Sequence, residues 1–222
     1  MTKSEFVLAV DKVQEPVTTL LRARGFTKSG RTYNRTADDG LIYVVNFQMG
    51  SYPISRYVIP GLRESLYGQF AVNLGVYLPC VAAITQSPKP KRTYQDYHCE
   101  IRERLGSLAN SGKDVWWNTS EPPELLGQLI TELVVTFGLP FLETFNSYSD
   151  VLNYYDGHGT LPFHNEGRSS LAAAIICYHL GERAKSQALF ERAADYATRG
   201  NHIEFHDYVR EIQQRCVKNG DA

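Results

Sequence analysis

A chain of 222 residues is long enough to bury a substantial core, as one large domain or two small ones. With 43% hydrophobic and 21% charged residues, disorder is not the expected state. A formal charge of -1 and a pI near 6.6 give no global basic field, so nucleic acid and anionic membrane are not expected partners.

The segment Met1 to Val10 holds a five-residue apolar run before Asp11 and no small-residue cleavage pattern. No uninterrupted apolar stretch approaches the roughly 20 residues that span a bilayer. A cytoplasmic protein is expected. Cys80, Cys99, Cys177 and Cys216 lie far apart with no C-x-x-C pair, which fits buried, reduced thiols better than a disulfide frame.

Phe6, Val10, Val13, Val17, Leu20 and Leu21 recur at helical spacing, with Ser4 as N-cap and Gly25 as stop. Pro16 inside this stripe predicts either a kink or two shorter helices. From Phe26 the period changes to two. Residues 32–35 read as a short strand, 37–40 as a hairpin turn on Asp39-Gly40, and 41–48 as the partner strand. Residues 49–67 form a longer loop, 70–78 and 98–105 are two further alternating strands, and 86–92 is a polar linker between them.

After Trp117 the pattern turns helical. Glu121-Pro-Pro-Glu124 suits a helix start, Leu125, Leu126, Leu129, Ile130, Leu133, Val134 and Phe137 supply a stripe, and Gly138-Leu-Pro140 interrupts it. Residues 141–155 give one or two further turns or short helices, 156–160 a loop, and 169–217 two or three helices. Residues 177–193 partly match a tetratricopeptide helix-turn-helix, with Ser186 where that motif prefers alanine; one repeat makes a hairpin, not a solenoid. The expected fold is α+β: a mainly antiparallel sheet packed on an N-terminal helix over 1–120, then a helical region over 121–222.

Strand parity sorts the side chains. One side is apolar, and the other carries Asn46, Gln48, Asn73, Tyr77, Glu100, Arg102 and Arg104. If the strands are neighbours, this side is a polar floor whose arginines can grip a carboxylate or phosphate. The plainer alternative is a row of cross-strand ion pairs in solvent. Trp116 and Trp117 face opposite ways if extended, so one plugs the core and the other lines a groove, unless both only pack.

Residues 106–114 resemble a phosphate loop only superficially. Five residues rather than four precede Gly112-Lys113, Asp114 stands in place of the hydroxyl, and a strand-like Val115-Trp-Trp117 follows instead of a helix. His202 and His206 have a metal-compatible spacing, but Glu204 is misplaced for a zinc-protease helix and no third ligand is evident. No metal, cofactor or catalytic residue is expected.

Gly25-Phe-Thr-Lys-Ser-Gly-Arg-Thr-Tyr33, Val45-Asn-Phe-Gln48, Phe70-Ala-Val-Asn-Leu-Gly-Val-Tyr-Leu78, and Arg102 through Gly106 with Asp114-Val-Trp-Trp117 occur in order over the first 140 residues. The chain in this respect resembles the bacterial family catalogued as domain of unknown function 4304. The resemblance implies a bacterial origin and a fold boundary but no activity.

The expectation for function is a non-catalytic cytosolic binding or interaction protein, immunity and defence being one role within that class. Its partner is a protein or a small anionic ligand, received at Asn46, Gln48, Asn73, Tyr77, Glu100, Arg102, Arg104, Asp114, Trp116 and Trp117. The alternative is an enzyme for a small anionic or nucleotide-like substrate, with Glu100 as acid/base and Arg102 and Arg104 as clamps.

Overall fold

The computed structural model describes residues 4–50, 66–86 and 91–220. Most of the loop read at 49–67 and the centre of the linker read at 86–92 therefore lie outside the described residues. Helix α1 (Glu5–Ala23) begins where Ser4 Oγ accepts from the Val7 N–H at 3.4 Å, and it ends before Gly25, whose φ is +82°. It is one continuous helix rather than two: Pro16 lies inside it, with its ring set against Gly127 of α4 (Pro123–Leu133). Val10, Val13, Val17 and Leu21 form its fully buried stripe.

Strands β1 (Thr27–Ser29), β2 (Thr32–Thr36), β3 (Ile42–Met49), β4 (Gln69–Tyr77) and β5 (Ile101–Arg104) lie side by side in that order, each antiparallel to the next. The three exposed residues of β1 are too few to show a period, so that strand has no sequence signal. The β2–β3 turn uses left-handed Asp39 and Gly40, at φ +53° and +77°, as the Asp-Gly pair suggests.

The strand expected over 98–105 is shorter than its alternation. A 3-10 turn takes Asp96–His98, and Leu105 opens a short helix α3 (Leu105–Ala109) because Leu105 and Gly106 are drawn into the core. No strand pair follows it: β6 (Trp117–Asn118) bonds to the Phe70 end of β4, along the same edge that β5 occupies further on. Gly106 lies hard against the Val115 backbone, a close approach that excludes a Cβ there.

Apolar side chains of the sheet, among them Tyr33, Tyr43, Phe47, Phe70, Leu74 and Ile101, join α1 and α4 in one buried cluster. The expected break at Gly138-Leu-Pro140 is absorbed instead. A π-helical turn (Val134–Gly138) adds the slack that lets the chain pass into α5 (Leu139–Glu143) with Pro140 in its first turn, where a missing N–H costs little. The whole run Pro123–Glu143, 21 residues of mean hydropathy 1.7, is long and apolar enough to cross a membrane by length and composition. In the fold its Leu126, Ile130 and Val134 belong to the buried core.

Helix α2 (Pro79–Thr85), which follows β4, and helices α6 (Tyr148–His158), α7 (Glu166–His179), α8 (Arg183–Arg199) and α9 (Ile203–Gly220) complete the helices of the described chain. Helix α6 extends three residues into the expected 156–160 loop, and Gly159 at φ +75° ends it. Helix α7 is buried nearly all round, and the Ser186 hydroxyl of α8 donates to the Ala174 carbonyl at 2.8 Å, which satisfies a polar group in the position where alanine was expected. The four cysteines are buried and unpaired.

Candidate functional site

Register puts Asn46, Asn73 and Arg104 in one cross-strand row, Val44, Gly75 and Arg102 in the next, and Ile42 and Tyr77 beyond, all on the side away from the core. Asn46, Asn73, Tyr77, Arg102 and Arg104 thus share one side of the sheet. Residues 91–98 fold back over part of it. Gln95 Oε1 accepts from Thr32 Oγ1 at 2.7 Å and Asn46 Nδ2 at 3.1 Å, while the Asn34 amide exchanges two bonds with the Tyr94 backbone at 2.9 and 2.8 Å. The Tyr94 ring lies 4.2 Å from that of Tyr77, centroid to centroid, and burial raises the Tyr77 phenol to about 12. Gly75 permits this closure, since a Cβ there would stand 2.7 Å from Cys99 Sγ. Asn46 and Tyr77 thus anchor a covering segment and do not face open space.

What remains open is a cleft of about 420 Å³ floored by Gln48, Asn73, Arg102 and Arg104. Its walls are Asp96 from the 3-10 turn, Leu74 of β4, Glu103 of β5, Ser107 and Asp114 from around α3, and Phe163 from the α6–α7 connection. Asn73 Nδ2 donates to Gln48 Oε1 at 2.9 Å, which fixes both amides. Arg104 is ion-paired with Asp114 and lies 5.0 Å from the Trp116 ring centroid. Both charges are more than a third exposed, so solvent leaves this pair worth at most about 1 kcal/mol.

Arg102 is held differently. Its guanidinium lies 3.7 Å from the centroid of the Phe163 ring, no carboxylate among the described residues reaches ion-pair distance, and its Nε is buried without a hydrogen-bond acceptor. A buried donor left unmade costs about 1–3 kcal/mol, more when charged.

Two of the expected site residues are elsewhere. Glu100 precedes β5 and turns to His164, whose Nε2 is 3.3 Å from Glu100 Oε2, close enough for an ion pair but not aligned as a hydrogen bond. These two line a separate 110 Å³ cavity with Arg168 and Tyr208. Trp117 is only 7% exposed and packs on Phe70, leaving Trp116 as the indole on the polar side. Trp117 is thus the indole turned to the core, and the Trp116 ring stands beside Arg104.

Strand parity predicts neither Asp96 nor Phe163, since both lie outside the strands. Asp96 follows the covering residues Tyr94 and Gln95, and Phe163 is a bulky apolar residue in a Gly/Pro loop, 68% exposed with φ +71°. An apolar residue in such a loop was the one available signal.

The Asp96 carboxyl is raised above its ordinary value, first by burial, with Arg102 and Arg104 among the influences pulling it back. The folded chain then holds this proton more tightly than the unfolded chain, so stability falls as pH rises through the interval between the two pKa values. Above it the ionised carboxylate is a constant cost. Asp96→Asn is accordingly expected to raise the thermal midpoint at pH 7, by less at pH 4; a lower midpoint at pH 7 would contradict it.

The thiols offer no nucleophile. Burial raises Cys80 to about 12, Cys177 and Cys216 to about 11 and Cys99 well above its usual value, so none is a thiolate at neutral pH.

Comparison with known proteins gives one match, to the family model described as "Domain of unknown function (DUF4304)" over residues 17–144, which takes in β1 to β6, α4 and α5. No curated protein and no solved structure matches. Because the matched span is more than half of the 222 residues and contains the sheet that floors the cleft, the chain belongs to the DUF4304 family.

Proposed function

We propose that this chain is a non-catalytic bacterial cytosolic binding protein whose cleft beside β5 receives the anionic group of a small ligand. The observation that carries the reading is Arg102, a guanidinium fixed under an aromatic ring, with a buried donor unused and no carboxylate paired to it. Such a group is preorganised for a planar carboxylate, and the order is already imposed before the ligand arrives. Unpaired, buried thiols agree with a reducing compartment. We also propose the tetratricopeptide-like reading of α7–α8, supported by the buried small residues Ala174 and Ala193.

A second reading, an enzyme acting on the same anion, draws on Asp96: a raised carboxyl in the cleft is better placed for proton transfer than Glu100.

Titration with 3-phenylpropanoate, followed calorimetrically, tests the binding reading. Arg102→Ala is expected to weaken it about 10- to 100-fold, since a hydrogen bond to a charged group is worth about 1.5–3 kcal/mol and each 1.4 kcal/mol is tenfold. Unchanged affinity in a variant with an unaltered circular-dichroism spectrum would remove Arg102 from the account.

A further inference from the structure

Two arginines, Arg102 and Arg104, and three carboxylates, Asp96, Glu103 and Asp114, line the cleft. Of the two arginines, Arg104 already has Asp114 and the Trp116 ring. That leaves one cation without an anion, Arg102, and two carboxylates without a cation: Glu103, whose Oε1 accepts from the Arg104 backbone N–H at 2.8 Å, and Asp96. Asp96 lines the space and ion-pairs with no cation among the described residues, yet it is half-buried. Arg102 and Asp96 are near enough to feel each other's field without meeting.

Two partly desolvated opposite charges held apart are each costly, and a contact between them would lower that cost. A simple anion would satisfy Arg102 but would bring a second negative charge towards Asp96. Only a ligand with a carboxylate and a cation at separate positions satisfies both.

The walls say more. Phe163 occupies a left-handed conformation that costs a non-glycine residue on the order of 1–3 kcal/mol, and its ring is 68% exposed. Neither feature aids stability, but together they place an aromatic face at the mouth of the cleft, directly over the guanidinium. Trp116 stands beside Arg104 at the other end of the arginine pair. A space of about 420 Å³ lies within the range of small-molecule sites and exceeds what a bare inorganic anion would fill.

From this charge pattern we infer that the ligand is a zwitterion of amino-acid type carrying an apolar or aromatic group: its carboxylate on Arg102, its ammonium towards Asp96, its side chain against Phe163. This rests on the anion-binding reading above and narrows it.

A matched pair of probes separates the two. L-Phenylalanine and 3-phenylpropanoate share the ring and the carboxylate and differ only in the α-ammonium. Calorimetric titration of the full chain is expected to show L-phenylalanine bound at least tenfold tighter, and Asp96→Asn is expected to abolish or reverse that order by weakening the zwitterion and strengthening the plain anion. The substitution removes a charge at a position where ionisation is already disfavoured, so the variant is expected to fold. Equal or tighter binding of 3-phenylpropanoate by the unaltered protein, or an order unmoved by Asp96→Asn, overturns the zwitterion while leaving the anion grip standing. Binding of neither probe, or binding indifferent to Arg102→Ala, overturns both.

Discussion

Phe70→Ala is expected to destabilise the protein by about 3–5 kcal/mol, the range for truncating a buried aromatic side chain. Phe70 is fully buried, stacked on Phe47 at 6.0 Å and on Trp117 at 5.8 Å between ring centroids. It also stands at the backbone pairing of β4 with β6, where Phe70 is opposite Trp117. The cavity would therefore open beneath β6, which Trp116 immediately precedes, and close to the loop of Asp114. For a chain of this length each 1 kcal/mol moves the midpoint by about 2–4 °C, so the melt followed by far-ultraviolet circular dichroism should shift down by roughly 10 °C. Phe70→Leu, which keeps most of the volume, should lose far less. A shift of under 2 °C for the alanine variant would mean that the three rings do not pack as a unit.

The second large effect is expected at the contact of α1 with α4. Gly127 has no room for a side chain: a Cβ would lie 2.8 Å from Pro16 Cγ and 3.2 Å from the Val13 carbonyl oxygen. The proline ring cannot rotate away as a flexible side chain would. Gly127→Val is expected to cost about 3 kcal/mol, the upper part of the range for overpacking, because the few tenths gained from helix propensity are small beside a forced separation of two helices. Pro16→Ala removes the nearer obstacle and restores a backbone donor. The double variant should therefore lose less than the sum of the single effects in denaturant unfolding, with a coupling of 0.5 kcal/mol or more. Simple additivity would show that the two residues do not touch.

These two positions also show where sequence pattern stops being informative. Alternation in residues 41–48 and 70–78 needs only the pleat: a strand with one face against a core must repeat every second residue, and the observed β3–β4 register pairs Asn46 with Asn73 and Val45 with Leu74 as parity requires. The α1 stripe is likewise a local property of the 3.6-residue turn. Pro16 was misleading because its local effect is destabilising, whereas its tertiary role is to fill the notch left by Gly127, and a notch has no signature in either segment alone. The same holds for Gly138-Leu-Pro140, where a wide helical turn dissolves a break that local rules demand.

The cleft divides in the same way. Gln48, Asn73, Arg102 and Arg104 could be read from the sequence because they lie on strands whose parity is fixed. Glu100 could not be placed, because parity holds only while a strand is paired, and the β5 ladder begins at Ile101. Asp96 and Phe163 come from two connections that are 67 residues apart in the chain.

By itself, then, the sequence determined the α+β class, the antiparallel hairpins and which face of each strand is apolar, all of which follow from short-range geometry. Only the tertiary structure decided that residues 91–98 cover part of the polar face, that Glu100 turns to His164 instead of joining the arginines, and that Phe163 closes over Arg102. Those outcomes depend on where long-range packing brings irregular segments to rest, and a loop has no periodicity from which its resting place can be read.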